Sequence, residues 1–509
     1  MKGKTRSLLI LAVLIMGMYC SGTGISWGAD SGALPTGATP DAQTVIAQAD
    51  AAAPPAPAAN EAPAQTTTTQ SPAPSETNAA APDTKNVPVT EVEVKAEKPR
   101  EGSAEVGYKV ENVTTTGLWG EMKLQDTPYS ISVMPHELIE NIQATTMEQL
   151  FRINPLVQVN YGIYRNDSGQ VIMRGFNFVP TLEDGVRASY THYGMTLEDV
   201  ERVELLSGLS GFLYGPADVG GNINYVLKRP TAEPLYNVTV GNSSGGASIY
   251  THGDFGGPID KDGRFGYRLN VAYQDGDTSV DGQTLKRELV SGAVDWHISD
   301  KLLLQVDAAH NSSEVDGSQV AFFLKGSSAP PAPAADTLWT PNWSHIDTTT
   351  DKAGVKLTWD INDIFKFRTN YRYRDVEFGD AISIIDNITP NGTITNYETD
   401  KNYPVKLINT GYNAFVDGTF NTSFVAHKVT AGFITDTAKE KATGNNWFNA
   451  GINYPTPTDP SNYPIPSFTS PDNGLFLVDT TTNYNYVFGD EITFDKHWLV
   501  LAGFNPDNA

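Results

Sequence analysis

Beyond residue 235 the chain alternates large apolar with polar side chains, one position at a time. In "YRLNVAYQ", Tyr267, Leu269, Val271 and Tyr273 share one face, and Arg268, Asn270, Ala272 and Gln274 the other. "FKFRTNYRYR" repeats the pattern, with Phe365, Phe367, Tyr371 and Tyr373 opposed by Lys366, Arg368, Asn370, Arg372 and Arg374. The same period runs through 286–298, 301–312, 348–361, 405–420, 426–437 and 484–494. A period of two predicts strands with one dry and one wet face, roughly eleven of them by alternation and turns. The connections differ in kind. "ISDK" at 298–301 and "DINDIF" at 360–365 are tight, whereas 313–347, 379–404 and 439–481 are long and rich in Pro, Asn and Thr. Alternation alone also fits a soluble β-sandwich, but short turns at one rim and long loops at the other are the pattern of a transmembrane β-barrel. Trp296, Trp359 and Trp498 each fall within a few residues of a tight turn, as an interfacial girdle requires.

Residues 105–234 follow a different grammar. "YSISVMP" predicts a brief strand, and "HELIENIQATTMEQLFRINP" two helical stretches, the second opened by Thr145 or Thr146 and ended before Pro155. "QVIMRGF", "DVERVELLSG" and "GNINYVLKRP" predict strands separated by glycine-rich turns. An α+β module of this length is large enough for its own core.

The first hundred residues supply no core. Residues 1–29 carry Lys2, Lys4 and Arg6, then an apolar run from Leu8 to Tyr19, then small residues, the layout of a cleaved secretory signal. The run is shorter than the roughly 20 residues a spanning helix needs. Residues 30–88 are Ala, Pro and Thr with few large apolar side chains, a disordered tether. "VTEVEVKAEKP" at 89–99 then reads as a short strand with no partner beside it in sequence: a loose sheet edge, or a segment that adds itself to another protein's sheet.

Composition narrows the chemistry. The 509 residues carry a net charge of -24, which invites no nucleic acid, and the single cysteine, Cys20, lies in the leader, which excludes a thiolate nucleophile, a Cys-based metal site or a disulfide in the exported chain. No H-E-x-x-H pair, G-x-S-x-G elbow or phosphate-binding G-x-x-x-x-G-K-[ST] loop is present, and the eight His residues lack ligand spacing. The glycines of "GLSGFLYGPADVGG" lack the lysine of a phosphate cradle and read as structural turns. Catalytic carboxylate pairs stay open at this point, since in a chain this acidic any two could be one, and no resident cofactor is expected.

"DTPYSISVMP", "VIMRGF", "LEDVERVELLSGLSGFLYGPADVGGNINYVLKRPTAEP" and the alternating region together resemble a TonB-dependent siderophore receptor of the bacterial outer membrane, over about residues 89 to 500. The resemblance implies a transmembrane antiparallel β-barrel with an N-terminal α+β plug domain filling the lumen, divided here into a signal peptide (1–29), a disordered segment (30–88), a TonB-box region (89–104), a plug (105–234) and the N-terminal part of the barrel (235–509). Barrels of this class have about 22 strands. The chain is therefore expected to be partial, holding about half of them, either a fragment of a longer receptor or a truncated product.

What the resemblance implies for function is import of a ferric siderophore, the iron arriving inside its chelate, across the outer-membrane lipid and energised by TonB of the TonB-ExbB-ExbD complex. Cobalamin, haem or a sugar as cargo, and a non-transporting surface binding module, are the alternatives. Glu91, Val92, Glu93, Val94, Lys95 and Ala96 match the TonB box. Tyr161, Tyr164, Arg165, Phe178, Tyr190 and Tyr193 fall on plug loops that would meet the chelate, or pack against the barrel wall. Arg174 stands where the family keeps a basic residue that faces barrel carboxylates, a latch between plug and barrel; Ser207 and Leu209 depart from the basic residue and Pro usual nearby. Lys366, Arg368, Arg372 and Arg374 would line the lumen, there to guide an anionic chelate or to pair with the acidic plug.

Overall fold

The computed structural model describes residues 100–504, apart from 115, 160–170, 177–178, 190–193, 209, 215–218, 319–320, 325–327, 329–333, 339, 341–342, 380, 391–393, 403, 444–473 and 495–497. The leader, the tether and the TonB-box residues therefore lie outside the described residues.

The plug begins with β1 (Asn112–Val113) and β2 (Met122–Lys123), paired with each other. It continues with β3 (Ser130–Pro135), β4 (Val157–Val159), β5 (Val171–Met173), β6 (Thr181–Glu183), β7 (Val186–Ser189), β8 (Val200–Ser207) and β9 (Gly221–Leu227). Five of these form one sheet in the order β3-β8-β9-β6-β7, while β4 and β5 pair separately. The two helical stretches are α1 (His136–Asn141) and α2 (Met147–Phe151). Thr146 starts α2 by accepting from the Gln149 amide, while the Gln149 side chain accepts from the Thr146 amide, a reciprocal capping box. A third helix, α3 (Gly211–Tyr214), is a single turn where only glycine turns were expected.

Alternation in β8 separates two cores. Val203 and Leu205 face α1 and α2, meeting Ile139, Met147, Leu150 and Phe151 in a core internal to the plug. Leu206 and the β6 residue Leu182 face the opposite way, toward Leu118, Trp119, Leu213 and the barrel wall.

The wall is an eleven-stranded antiparallel sheet. Its strands are β10 (Leu235–Gly241), β11 (Gly245–Pro258), β12 (Phe265–Thr278), β13 (Thr284–Ser299), β14 (Leu302–Asp316), β16 (His345–Asp360), β17 (Phe365–Gly379), β20 (Val405–Thr422), β21 (Val425–Ala442), β22 (Phe476–Phe494) and β23 (Trp498–Phe504). Between them, β15 (Ala321–Leu324), β18 (Ala381–Ile388) and β19 (Ile394–Asn402) make a small separate sheet at the long-loop rim, so the connections expected to be irregular hold strands of their own. With eleven alternating strands, β10 and β23 run in the same direction, and the described sheet is a partial barrel with two edges. No described helix is long and apolar enough to cross a membrane.

The faces fall as the alternation predicts. Leu269, Val271, Val290, Val294, Val355 and Tyr371 are exposed on the outer side, while Arg268, Asn270, Gln274, Arg372 and Arg374 are buried against the plug. Trp296, Trp359 and Trp498 are exposed near the short-turn rim, Trp296 stacked on Phe265 with ring centroids 5.5 Å apart.

Candidate functional site

The described residues put the chemistry at the boundary between plug and wall. Two short plug turns create it. Asp184 and Gly185, both at positive φ (47° and 76°), close the two-residue hairpin between β6 and β7. An Asp-Gly pair is what such a turn demands, because both central residues must adopt left-handed backbone. The turn projects Glu183 and Asp184 at the wall. The second turn, ahead of β8, projects Glu198 and Asp199; the Thr196 hydroxyl donates to Asp199 at 2.7 Å and orients it.

The wall answers with bases. Arg372 reaches Asp184 at 2.5 Å and also pairs with the wall residue Asp307. Arg287 meets Glu198 at 2.6 Å and donates to the Thr145 carbonyl at 3.0 Å. The Lys352 ammonium lies 2.8 Å from Asp199 and 3.9 Å from Glu183, and Arg374 is 3.9 Å from Glu183. Burial by itself pushes the Asp184, Glu198 and Asp199 carboxyls up. The facing cations outweigh it, chiefly Arg372, Arg287 and Lys352 respectively, and all three end below the ordinary carboxylate range.

Fewer pairs have the opposite polarity. Lys228, at the end of the plug, pairs with Asp254 at 2.8 Å, both fully buried, and Arg268 holds the same carboxylate in a two-pronged bond at 2.6 and 2.8 Å. Arg229 bonds to Asp295 and, at 3.0 Å, to Asp307. Arg187 reaches Asp436 at 3.1 Å.

Of the residues singled out from sequence, Arg372 and Arg374 meet plug carboxylates. Arg368 is held by Asp417 at 2.6 and 2.8 Å and donates to the Leu118 carbonyl at 2.9 Å. Lys366 lies on the same strand face but at the short-turn rim, half-exposed and 3.1 Å from Asp360. Arg174 occupies the first position of a tight turn with Gly175, both at positive φ (54° and 83°), and the Met173 and Phe176 backbones bond to each other across it. Its side chain is exposed beside Gly208 and has no ion pair among the described residues. The expected pairing with barrel carboxylates is thus not seen there, and the described ion pairs between plug and wall come from other residues. Tyr161, Tyr164, Arg165, Phe178, Tyr190 and Tyr193 lie outside the described residues.

Glu183, Asp184, Glu198 and Asp199 were not singled out from sequence. The available signal was a repeated tetrapeptide: Thr-Leu-Glu-Asp occurs at 181–184 and again at 196–199. Among the described residues no cluster of His, Cys, Asp and Glu is arranged to hold a metal ion.

The family model described as TonB-dependent Receptor Plug Domain matches residues 123–222. The ferric-pyoverdine 358 receptor of Pseudomonas putida is 22% identical over 360 residues, covering 68% of this chain and 44% of that protein. The ferrichrome receptor FcuA of Yersinia enterocolitica is 25% identical over 400 residues, covering 73% and 51%. The crystal structure of BauA, the ferric preacinetobactin receptor from Acinetobacter baumannii, shares the fold with a TM-score of 0.63 at 21% identity, covering 78% of this chain and 63% of that one. The chain spans about half the length of the curated relatives it matches.

Proposed function

We propose that the chain is a TonB-dependent outer-membrane receptor and serves the TonB-energised import of a ferric siderophore into the periplasm; the plug-domain match and the likeness to ferric-siderophore receptors support this. The observation that carries the reading is the set of buried ion pairs between plug and wall, Asp184 with Arg372, Glu198 with Arg287 and Asp199 with Lys352. A permanent stopper would be best held by continuous apolar packing, because replacing buried ion pairs by hydrophobic contacts is often neutral or stabilising. Charged pairs suit a stopper that must let go, since each partner recovers its hydration once water enters.

In this reading residues 1–29 are removed on export and 30–88 tether the recruitment strand. Glu91, Val92, Glu93, Val94, Lys95 and Ala96 add to a sheet of TonB, whose pull main-chain hydrogen bonds transmit. Tyr161, Tyr164, Arg165, Phe178, Tyr190 and Tyr193 contact the chelate from the plug loops, where rings and hydroxyls suit a ligand that is part apolar and part polar. The iron is cargo, wrapped in its chelator. No covalent step is involved.

The test is uptake of radiolabelled ferric chelates by cells that lack other siderophore receptors and carry this one, with and without residues 91–96. Accumulation of at least one ferric chelate that vanishes on the deletion is the expected result. Uptake that survives the deletion, or cells that take up only cobalamin, haem or a sugar, would overturn the assignment.

A further inference from the structure

The plug does not adhere equally to the two sides of the wall. On one side the contact is largely apolar and interlocked: Leu118, Trp119, Leu182, Leu206 and Leu213 of the plug pack against Phe415, Ile434 and Val487 of β20, β21 and β22, beside the buried Arg187–Asp436 pair. Two wall glycines are the sockets. A Cβ on Gly489 would lie 2.5 Å from the Trp119 ring, and one on Gly503 would lie 2.1 Å from the Phe212 ring. On the other side the contact is charged and leaves two small clefts. One separates Thr145, Thr146 and Gly194 of the plug from Gln274, Leu289 and Ser313 of β12, β13 and β14. Below it on the same strands, toward the short-turn rim, the second is lined by Lys228 of the plug and by Asn270, Ser291, Ala293 and Lys352 of the wall.

The turn from Thr196 to Asp199 divides the two. Glu198 closes the floor of the upper cleft through Arg287, and Asp199 closes the roof of the lower one through Lys352. The inward side chains of this sector mix small with large, Ala272, Ser291, Ala293 and Ser313 lying buried beside Arg268, Gln274, Leu289 and Lys352, and among the described residues the Ser313 hydroxyl at the upper cleft has no hydrogen-bond partner. The surface is ready for water or a polar solute.

We infer that a solute passes between plug and wall along the β12–β16 sector, with the Thr196–Asp199 turn as its gate and the β20–β22 face as the fixed anchor. The inference rests on the import reading and adds a route to it. The physical reason is what each side exposes when pulled apart. Separating the Glu198 and Asp199 pairs beside these clefts returns four charges to hydration. Drawing Trp119, Leu118 and Phe212 out of their sockets bares a large apolar surface, against which only the Arg187–Asp436 pair regains hydration. A given pull opens the charged side first.

Two reversible cross-links in the receptor, made in a Cys20→Ser background, separate the alternatives. Gly194→Cys with Thr350→Cys ties the gate side, where a Cβ on Gly194 lies 3.1 Å from the Thr350 Cβ. Val186→Cys with Gly411→Cys ties the plug to β20, where a Cβ on Gly411 lies 2.4 Å from a Val186 methyl. Each pair is compared with itself before and after reduction, which removes any effect of the substitutions on folding. Oxidising the gate pair is expected to lower uptake by about tenfold or more, reversed by reductant, while oxidising the anchor pair leaves it within about twofold. If the anchor pair blocks, alone or together with the gate pair, the plug moves as a whole and the inference fails; it fails equally if neither blocks.

A second readout needs no substrate. In single-cysteine receptors, a membrane-impermeant maleimide should label Ser291→Cys faster when TonB is energised, and Thr430→Cys, buried on the anchor side, should stay protected. If no chelate is taken up yet this contrast holds, the import reading is wrong and the route stands. Equal labelling at both positions sinks the route.

Discussion

Replacing Lys352 by methionine removes the one ammonium that serves both acid turns. Its side chain is 6% exposed, 2.8 Å from Asp199 and 3.9 Å from Glu183, both of them buried. In the Lys352→Met protein the Asp199 carboxylate keeps, among the described residues, the Thr196 hydroxyl, and Glu183 keeps Arg374 at 3.9 Å. Removing one partner of a buried pair costs about 3–5 kcal/mol, because the other charge is left without compensation. At about 1.4 kcal/mol per power of ten, local opening at this turn should become about a hundred to a few thousand times more frequent. Amide hydrogen exchange of the purified receptor in detergent reads this directly, at β8, at β9 and at the Lys228 amide that donates to the Asp199 carbonyl. Amides around Leu118 and Trp119 should exchange as before. The double variant Lys352→Met/Asp199→Asn should recover most of the loss, since it leaves no orphaned charge at that pair. The pH dependence should also change sign. In the variant the cation that chiefly opposes burial at Asp199 is gone, its carboxyl rises, and acidification from pH 7 to pH 5 should slow exchange once intrinsic rates are corrected for. A cost below about 1 kcal/mol, or a double variant no better than the single, would show that the pair bears no part of the closure.

Two further outcomes follow from the same geometry. In the unaltered protein Asp184, Glu198 and Asp199 have depressed carboxyls, so their contribution is complete above the ordinary carboxylate value near 4 and lost only as pH falls through their lower folded values. Protection of the plug from protease should therefore be constant from pH 8 to pH 5, and loosening within that range would refute the ionised pairs. Gly489→Val fills the Trp119 socket, and overpacking of this kind costs about 1–3 kcal/mol. The variant should show altered Trp119 emission and easier proteolysis at the anchor, without change at the Thr196–Asp199 turn.

Much of the fold was legible in the order of residues. The period-two runs from "YRLNVAYQ" to "NYNYVFGDEIT" report strands with one apolar and one polar face, because nothing but the side-chain alternation of an extended backbone produces them. The Thr146 cap and the strand of "DVERVELL" are equally local signals, and both appear in the structure. The strands inside the long loops, β18 and β19, were not legible, since no sustained alternation marks them and they are paired with each other and with β15 instead of with the wall. The site was legible only in part. Arg372 and Arg374 follow from strand parity, and parity says which face a side chain takes without saying what it meets.

The sequence by itself determined the wall's two faces, the helix cap and the turns that need an Asp-Gly or Arg-Gly pair, because each is a property of a few consecutive residues. Only the tertiary structure decided that Arg372 meets an acid 188 positions away, that Trp119 seats in a glycine socket, and that one side of the plug is held largely by apolar packing and the other by ion pairs. Those facts depend on the register of the wall strands and on how the plug lies against them, and hydrophobic alternation carries no record of which charge will stand opposite which.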